Sequence, residues 1–168
     1  RSAPFSASSL SGALADISHG YQAVPVPTPD WFIPAYPAFS AGTFTADGAG
    51  HFTGGTTDTY VGGTWGTGLA VSGTYTTAPN GRGTATIQAG SLTSHVGFYM
   101  SSANSAISVG LDTWGTGLSD FSPRGAGPFG VASLDGHYAF TLRGTLTSPG
   151  NDISGQILFN GLGALAGA

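Results

Sequence analysis

The sequence predicts an all-β protein: an antiparallel sandwich or barrel of about ten short strands, with one Pro-rich extended insert. Composition is the first reason. The 168 residues include 29 Gly and 10 Pro, and the only charged side chains are four Arg and eight Asp, with no Lys and no Glu. Helices are built largely from Ala, Leu, Glu, Lys, Gln and Arg, so such a chain cannot be mainly helical. Periodicity is the second reason, because apolar residues recur every second position over many short stretches. The third is the turn chemistry between those stretches, where Asp-Gly and Asn-Gly pairs supply the positive φ that tight hairpins need.

The strands follow in order. Leu69, Val71, Gly73 and Tyr75 share a face, as do Val96, Phe98 and Met100, then Ile107, Val109 and Leu111. Further on, Tyr138, Phe140 and Leu142 alternate, and so do Ile153, Gly155, Ile157 and Phe159. Each of these faces is expected to be buried, with Thr, Ser, Gly, Ala and His on the other side. Turns are predicted at Asp47-Gly48, Asn80-Gly81, Asp135-Gly136 and Asn160-Gly161. Residues 21–37 differ, with Pro25, Pro27, Pro29, Pro34 and Pro37 among Val, Trp and Phe. Proline lacks a ladder donor, so this insert should be extended, polyproline-like or an edge strand.

The length fits a single β-domain over 1–168. Within it, Gly42–Gly50 matches Gly155–Gly163 at an offset of 113, and Ser9–Ala13 matches Ser133–His137 at an offset of 124. These collinear matches divide the chain into one full repeat-like unit, 9–132, and the opening hairpin of a second, 133–168, the insert at 21–37 accounting for the unequal offsets. The hexapeptide Thr64–Leu69 recurs at Thr113–Leu118 and suggests two similar corners.

Several of these segments, namely Gly42-Thr-Phe-Thr-Ala-Asp-Gly-Ala-Gly50, Ser72-Gly-Thr-Tyr75, Asn80-Gly-Arg-Gly-Thr84 and Ser133-Leu-Asp-Gly-His-Tyr-Ala-Phe140, carry a resemblance. The chain resembles a family of secreted bacterial proteins with tandem β-domains, written roughly G-x-F-T-A-D-G-x-G, S-G-T-Y, D-G-R-G-T and L-x-G-x-Y-A-F. The resemblance implies a secreted or surface-exposed module and carries no catalytic residue, cofactor or ligand. The first copy of the last motif is degenerate here, at Leu10-Ser-Gly-Ala-Leu-Ala-Asp16, and the Pro-rich insert is extra.

Composition also excludes partners and chemistries. A net charge of −4 without a basic cluster offers no counterion-release affinity for nucleic acid or for an anionic membrane surface. No run of 18 apolar residues exists to make a membrane-spanning helix. An eight-stranded outer-membrane barrel is disfavoured because its strands need about nine to eleven residues, and Gly interrupts these. With no Cys there are no disulfides or thiolate sites. The His residues show no metal-ligand spacing, so no metal and no cofactor is expected. Asp47 and Asp135 read as turn caps, and Asp16 with His19 lacks the G-x-S-x-G elbow of a hydrolase. The chain is therefore not expected to be an enzyme.

What remains is a structural role. The expectation is an extracellular or cell-surface subunit of a fibre or filament, whose partner is another copy of itself, joined head to tail through extended segments or strand exchange. The candidate assembly residues are Pro4 and Phe5 in the N-terminal arm, with Pro25, Val26, Pro27, Trp31, Phe32 and Ile33 in the insert. The competing reading is a carbohydrate-binding or adhesive module, in which Trp31, Trp65 and Trp114 stack on glycan rings.

Overall fold

The computed structural model describes residues 4–23, 35–113, 115–144 and 151–167, and the fold is all-β. The chain forms two compact units, Arg1–Gly125 and Ala126–Ala168. In the first unit a single helical turn at Ala7–Ser9 leads into eight strands. They are β1 (Ser11–Ala23), β2 (Ala35–Asp47), β3 (His51–Val61), β4 (Thr64–Thr77), β5 (Arg82–Ala89), β6 (Leu92–Ser102), β7 (Ser105–Gly110) and β8 (Gly115–Pro123). Each strand pairs antiparallel with the next, and β8 returns to β1, closing an up-and-down barrel. Closure removes the free ladder edges that an open sheet would leave. Of the two architectures open to the sequence, the barrel is the one formed.

The strands are not all short. Five of the eight run 11 to 14 residues, because glycines that read as breaks lie inside strands. At Gly83 an added Cβ would lie 2.3 Å from the Thr76 carbonyl oxygen and 2.2 Å from the Phe98 ring. At Gly20, one would lie 2.0 Å from the Thr116 oxygen on β8. A small barrel must bend its strands sharply to close, and these are positions where backbone and neighbour approach too closely for a side chain.

Alternation divides the barrel into lumen and outer face. Leu14, Phe44, Phe52, Val71, Tyr75, Phe98, Met100 and Phe121 fill one end of the lumen, with Leu10 beneath them. Phe44 meets Phe52 and Phe121 edge to face, at centroid separations of 4.8 and 5.4 Å. The N-terminal segment closes this end. Phe5 and Ala7 pack on the core, and the Phe5 N–H donates to the Pro79 carbonyl. The Tyr75 hydroxyl reaches the carbonyls of Leu10 at 2.6 Å and Ala7 at 3.0 Å. At the β6–β7 turn Asn104 holds the same segment, accepting from the Ser11 N–H and donating its own N–H to Ser9.

The predicted inward faces of β4 and β6 are the observed ones, but β7 is reversed. Ala106, Ser108 and Gly110 face the lumen, while Ile107, Val109 and Leu111 are exposed. The lumen beside β7 is already occupied by Phe98 and Phe121 from its neighbours, so it admits only small side chains there. The outer face is consequently uneven. Ile17, Leu118, Val109 and Ile107 make it apolar around β1, β8 and β7, whereas β4 and β5 present Thr74, Thr76, Thr84 and Thr86. Among the described residues no helix is long and apolar enough to cross a membrane.

The second unit begins with another helical turn, Val131–Ser133, followed by β9 (Asp135–Gly144), β10 (Asn151–Asn160) and β11 (Leu165–Gly167) in the order β11-β10-β9. Asp135-Gly136 opens β9 instead of making a turn. Of the insert at 21–37, the two ends belong to β1 and β2, paired Tyr21 with Pro37 and Ala23 with Ala35, and residues 24–34 lie outside the described residues.

Candidate functional site

Two places carry features that packing alone does not explain: the open end of the barrel lumen and the sheet of the second unit. In the lumen, the apolar plug ends at Leu14, Phe44 and Phe121. Two residues further along β1, Asp16 faces the same way as Leu14, level with Gly42 on β2 and Phe121 on β8. Its neighbours leave room, and a cavity of about 360 Å³ opens above it. The next level is a row of serines running through four adjacent strands. Ser40 pairs with Ser18, Ser18 with Ser119, and Ser119 with Ser108. The hydroxyls bond in twos, Ser18 to Ser40 at 2.7 Å and Ser108 to Ser119 at 2.5 Å. The facing wall, from β4 to β6, is apolar, with Val71, Ile87 and Val96.

Asp16 Oδ1 is buried and has no hydrogen-bond partner. Burial, with a smaller contribution from the negative charge of Asp120, pushes its carboxyl up to about 7. Desolvation penalises the charged form, and among the described residues no charge draws the carboxyl back down. His19 lies on the opposite face of β1 and is exposed, so the two do not form a catalytic pair.

Two other carboxylates behave in the opposite way. The Asp47 Oδ1 accepts the N–H groups of His51 and Ala49, and its Oδ2 lies 2.9 Å from the His51 ring. The His51 N–H, then that of Ala49, hold this exposed carboxyl down to about 2. At Asp112 burial works upward, but the His95 N–H and ring outweigh it, and the carboxyl sits below its usual range. Asp47 and His51 lie on the outer surface, Asp112 and His95 at the rim of the lumen cavity, and each pair ties a strand to a neighbouring turn, which is a structural arrangement. Among the described residues no three His, Asp, Glu or Cys side chains are gathered to hold a metal ion.

The second unit repeats the opening of the first. Ser133 N–H donates to Gly130 and Leu134 N–H to Val131, as Ser9 donates to Ser6 and Leu10 to Ala7. Tyr138 pairs with Ile157 where Leu14 pairs with Phe44, and Asn160 caps Leu162 and Ala164 as Asp47 caps Ala49 and His51. Even the third strand keeps register, Phe159 with Leu165 matching Ala46 with Phe52. Burial is what differs. Leu10 and Leu14 are fully enclosed in the barrel, but their counterparts Leu134 and Tyr138 are 46% and 38% exposed. Phe129, Val131, Ile153 and Leu162 of this unit are also exposed.

Of the residues singled out by sequence for assembly, Pro4 is exposed and Phe5 packs on its own barrel. Pro25, Val26, Pro27, Trp31, Phe32 and Ile33 lie outside the described residues, as does Trp114 of the glycan-stacking set. Trp65 is exposed, with its ring 4.8 Å from Tyr60, which in turn lies 6.1 Å from Phe39. The serine row, and the place of Asp16 in the lumen beside it, escaped notice in the sequence. Their signal is the alternation Leu14-x-Asp16-x-Ser18, which puts a carboxyl on a core face.

Compared with known proteins, the chain matches no family model, no curated protein and no solved structure.

Proposed function

We propose that this chain is an extracellular structural protein, a subunit of a surface fibre or filament in which barrel units are joined by completing open sheets. The observation that carries the reading is the second unit. It has the register, caps and turns of a barrel's first three strands, yet its would-be core residues Leu134 and Tyr138 face solvent. In the first unit the same strands become a closed core only when five more join them. Among the described residues β9 has no neighbour on its outer side, where β1 has β8. A free ladder edge beside an exposed apolar face is an association surface, and strand addition from another polypeptide segment satisfies both at once. The low surface charge adds little repulsion between copies.

Sedimentation velocity over a range of concentrations tests this, with the wild-type chain and the double variant Leu134→Asp, Tyr138→Asp. The reading requires concentration-dependent growth of the wild type and its loss in the variant, with the barrel's circular dichroism unchanged. A wild-type monomer at every concentration contradicts it.

A glycan-binding role is favoured by one separate observation, the outward row of Phe39, Tyr60 and Trp65 across β2, β3 and β4. Aromatic faces pack against the C–H faces of sugars. Under that reading soluble polysaccharide quenches tryptophan fluorescence, and Trp65→Ala reduces the change.

A further inference from the structure

We infer that the open half of the barrel lumen is a binding site for a small primary amine with an apolar body, its ammonium group held by Asp16. Three features converge on this class. Asp16 lines the cavity, and the Oδ1 of its carboxyl is buried and lacks a donor. An ionised carboxylate only accepts hydrogen bonds, so the missing partner is an N–H or O–H group. Among the residues lining the cavity there is no Lys or Arg to supply it; the other titratable side chains there are His19, Tyr21, His95 and Asp112, His95 already engages Asp112, and Asp120 on β8 adds a second negative charge. A cation from outside meets this need better than a neutral donor, because its charge offsets the desolvation of the carboxylate.

The walls define the rest of the ligand. Ser18, Ser40 and Ser119 stand beside the carboxyl and offer hydroxyl oxygens to the remaining ammonium protons. Opposite them Val71, Ile87 and Val96 make a dry wall, suited to a saturated ring or short alkyl chain. At about 360 Å³ the space suits a ligand of about monosaccharide size. Gly20, Gly42 and Gly117 keep this end of the lumen clear of side chains. The arrangement differs from the core at the other end, where the same strands contribute Leu14, Phe44 and Phe121 and leave no such space.

The carboxyl gives the site a pH signature. A proton on Asp16 competes with the ammonium group, so affinity rises as the carboxyl ionises above neutral pH. This follows from competition for one oxygen pair and is independent of the assembly surface in the second unit.

The test is calorimetric titration of the intact chain with cyclohexylamine and, as its neutral counterpart, cyclohexanol. The inference predicts that the amine binds with one site per chain, at least tenfold tighter than the alcohol, and at least about tenfold tighter at pH 8 than at pH 5. Asp16→Asn should abolish the preference for the amine. Ile87→Trp, which fills the apolar side without touching the carboxyl, should weaken both probes, and it keeps the test decisive if the Asp16 variant fails to fold. Equal affinity for amine and alcohol, no binding of either, or amine binding unchanged by Ile87→Trp overturns the inference.

Discussion

Replacing Asp16 by Asn should change how stability depends on pH, and the size of the change follows from the structure. The carboxyl titrates near 7 in the folded barrel and near 3.8 when exposed in the unfolded chain. Below pH 3.8 both states hold the proton and the group is neutral in its effect. Between pH 3.8 and 7 the unfolded chain gives up a proton that the folded chain keeps, so stability falls as pH rises. At about 1.4 kcal/mol for each unit, the loss approaches about 4 kcal/mol at neutral pH and is constant above it. With a urea m-value of about 2 kcal/mol/M, this is a shift of about 2 M in midpoint between pH 4 and pH 8. Asn has nearly the same shape and does not titrate, so the variant should lose this slope and be more stable than wild type at pH 8. Urea unfolding followed by circular dichroism at several pH values is the assay. Parallel pH profiles for wild type and variant would refute the claim that burial without a cation governs this carboxyl.

Other outcomes follow from the same packing. Phe98→Ala, at a fully enclosed site, should cost about 3–5 kcal/mol in urea unfolding. Gly20→Val should cost about 2–3 kcal/mol by forcing β1 and β8 apart, detected as faster amide exchange in β8. Gly54→Val, where an added Cβ meets nothing within 4 Å, serves as its tolerated control. Tyr75→Phe should cost about 1–2 kcal/mol, since it leaves the Leu10 carbonyl without the phenol that ties the N-terminal segment to the core. Asp47→Ala should reduce the stability that wild type holds above pH 4 and loses on acidification toward pH 2, measured as a smaller acid-induced drop in thermal midpoint.

The all-β class was legible because composition excludes helix and because two-residue alternation is direct evidence of pleated strands. The faces of β4 and β6 could be read for the same reason: Val71, Tyr75, Phe98 and Met100 are large, apolar and buried. On β7 the rule failed. It assumes that the more apolar face is the inner one, and in a small barrel the lumen next to Phe98 and Phe121 has space only for Ala106, Ser108 and Gly110. Strand length was misjudged from glycine, which marks a turn at Gly48 and Gly81 but a bend within a strand at Gly73 and Gly83. Both are consequences of closure, a long-range property that no local window contains. The lumen site was hidden for a related reason. Asp16 looked like half of a pair with His19, and only the barrel puts it beside serines from β2 and β8.

The most direct test of assembly through the second unit is amide hydrogen exchange of the full chain at low and high concentration. If open sheets are completed by another copy, the amides of β9 gain protection as concentration rises, while those of the closed barrel stay as they were. If β9 exchanges at the same rate across the whole range, or if polymers grow with β9 still unprotected, completion of this sheet is not what joins the subunits.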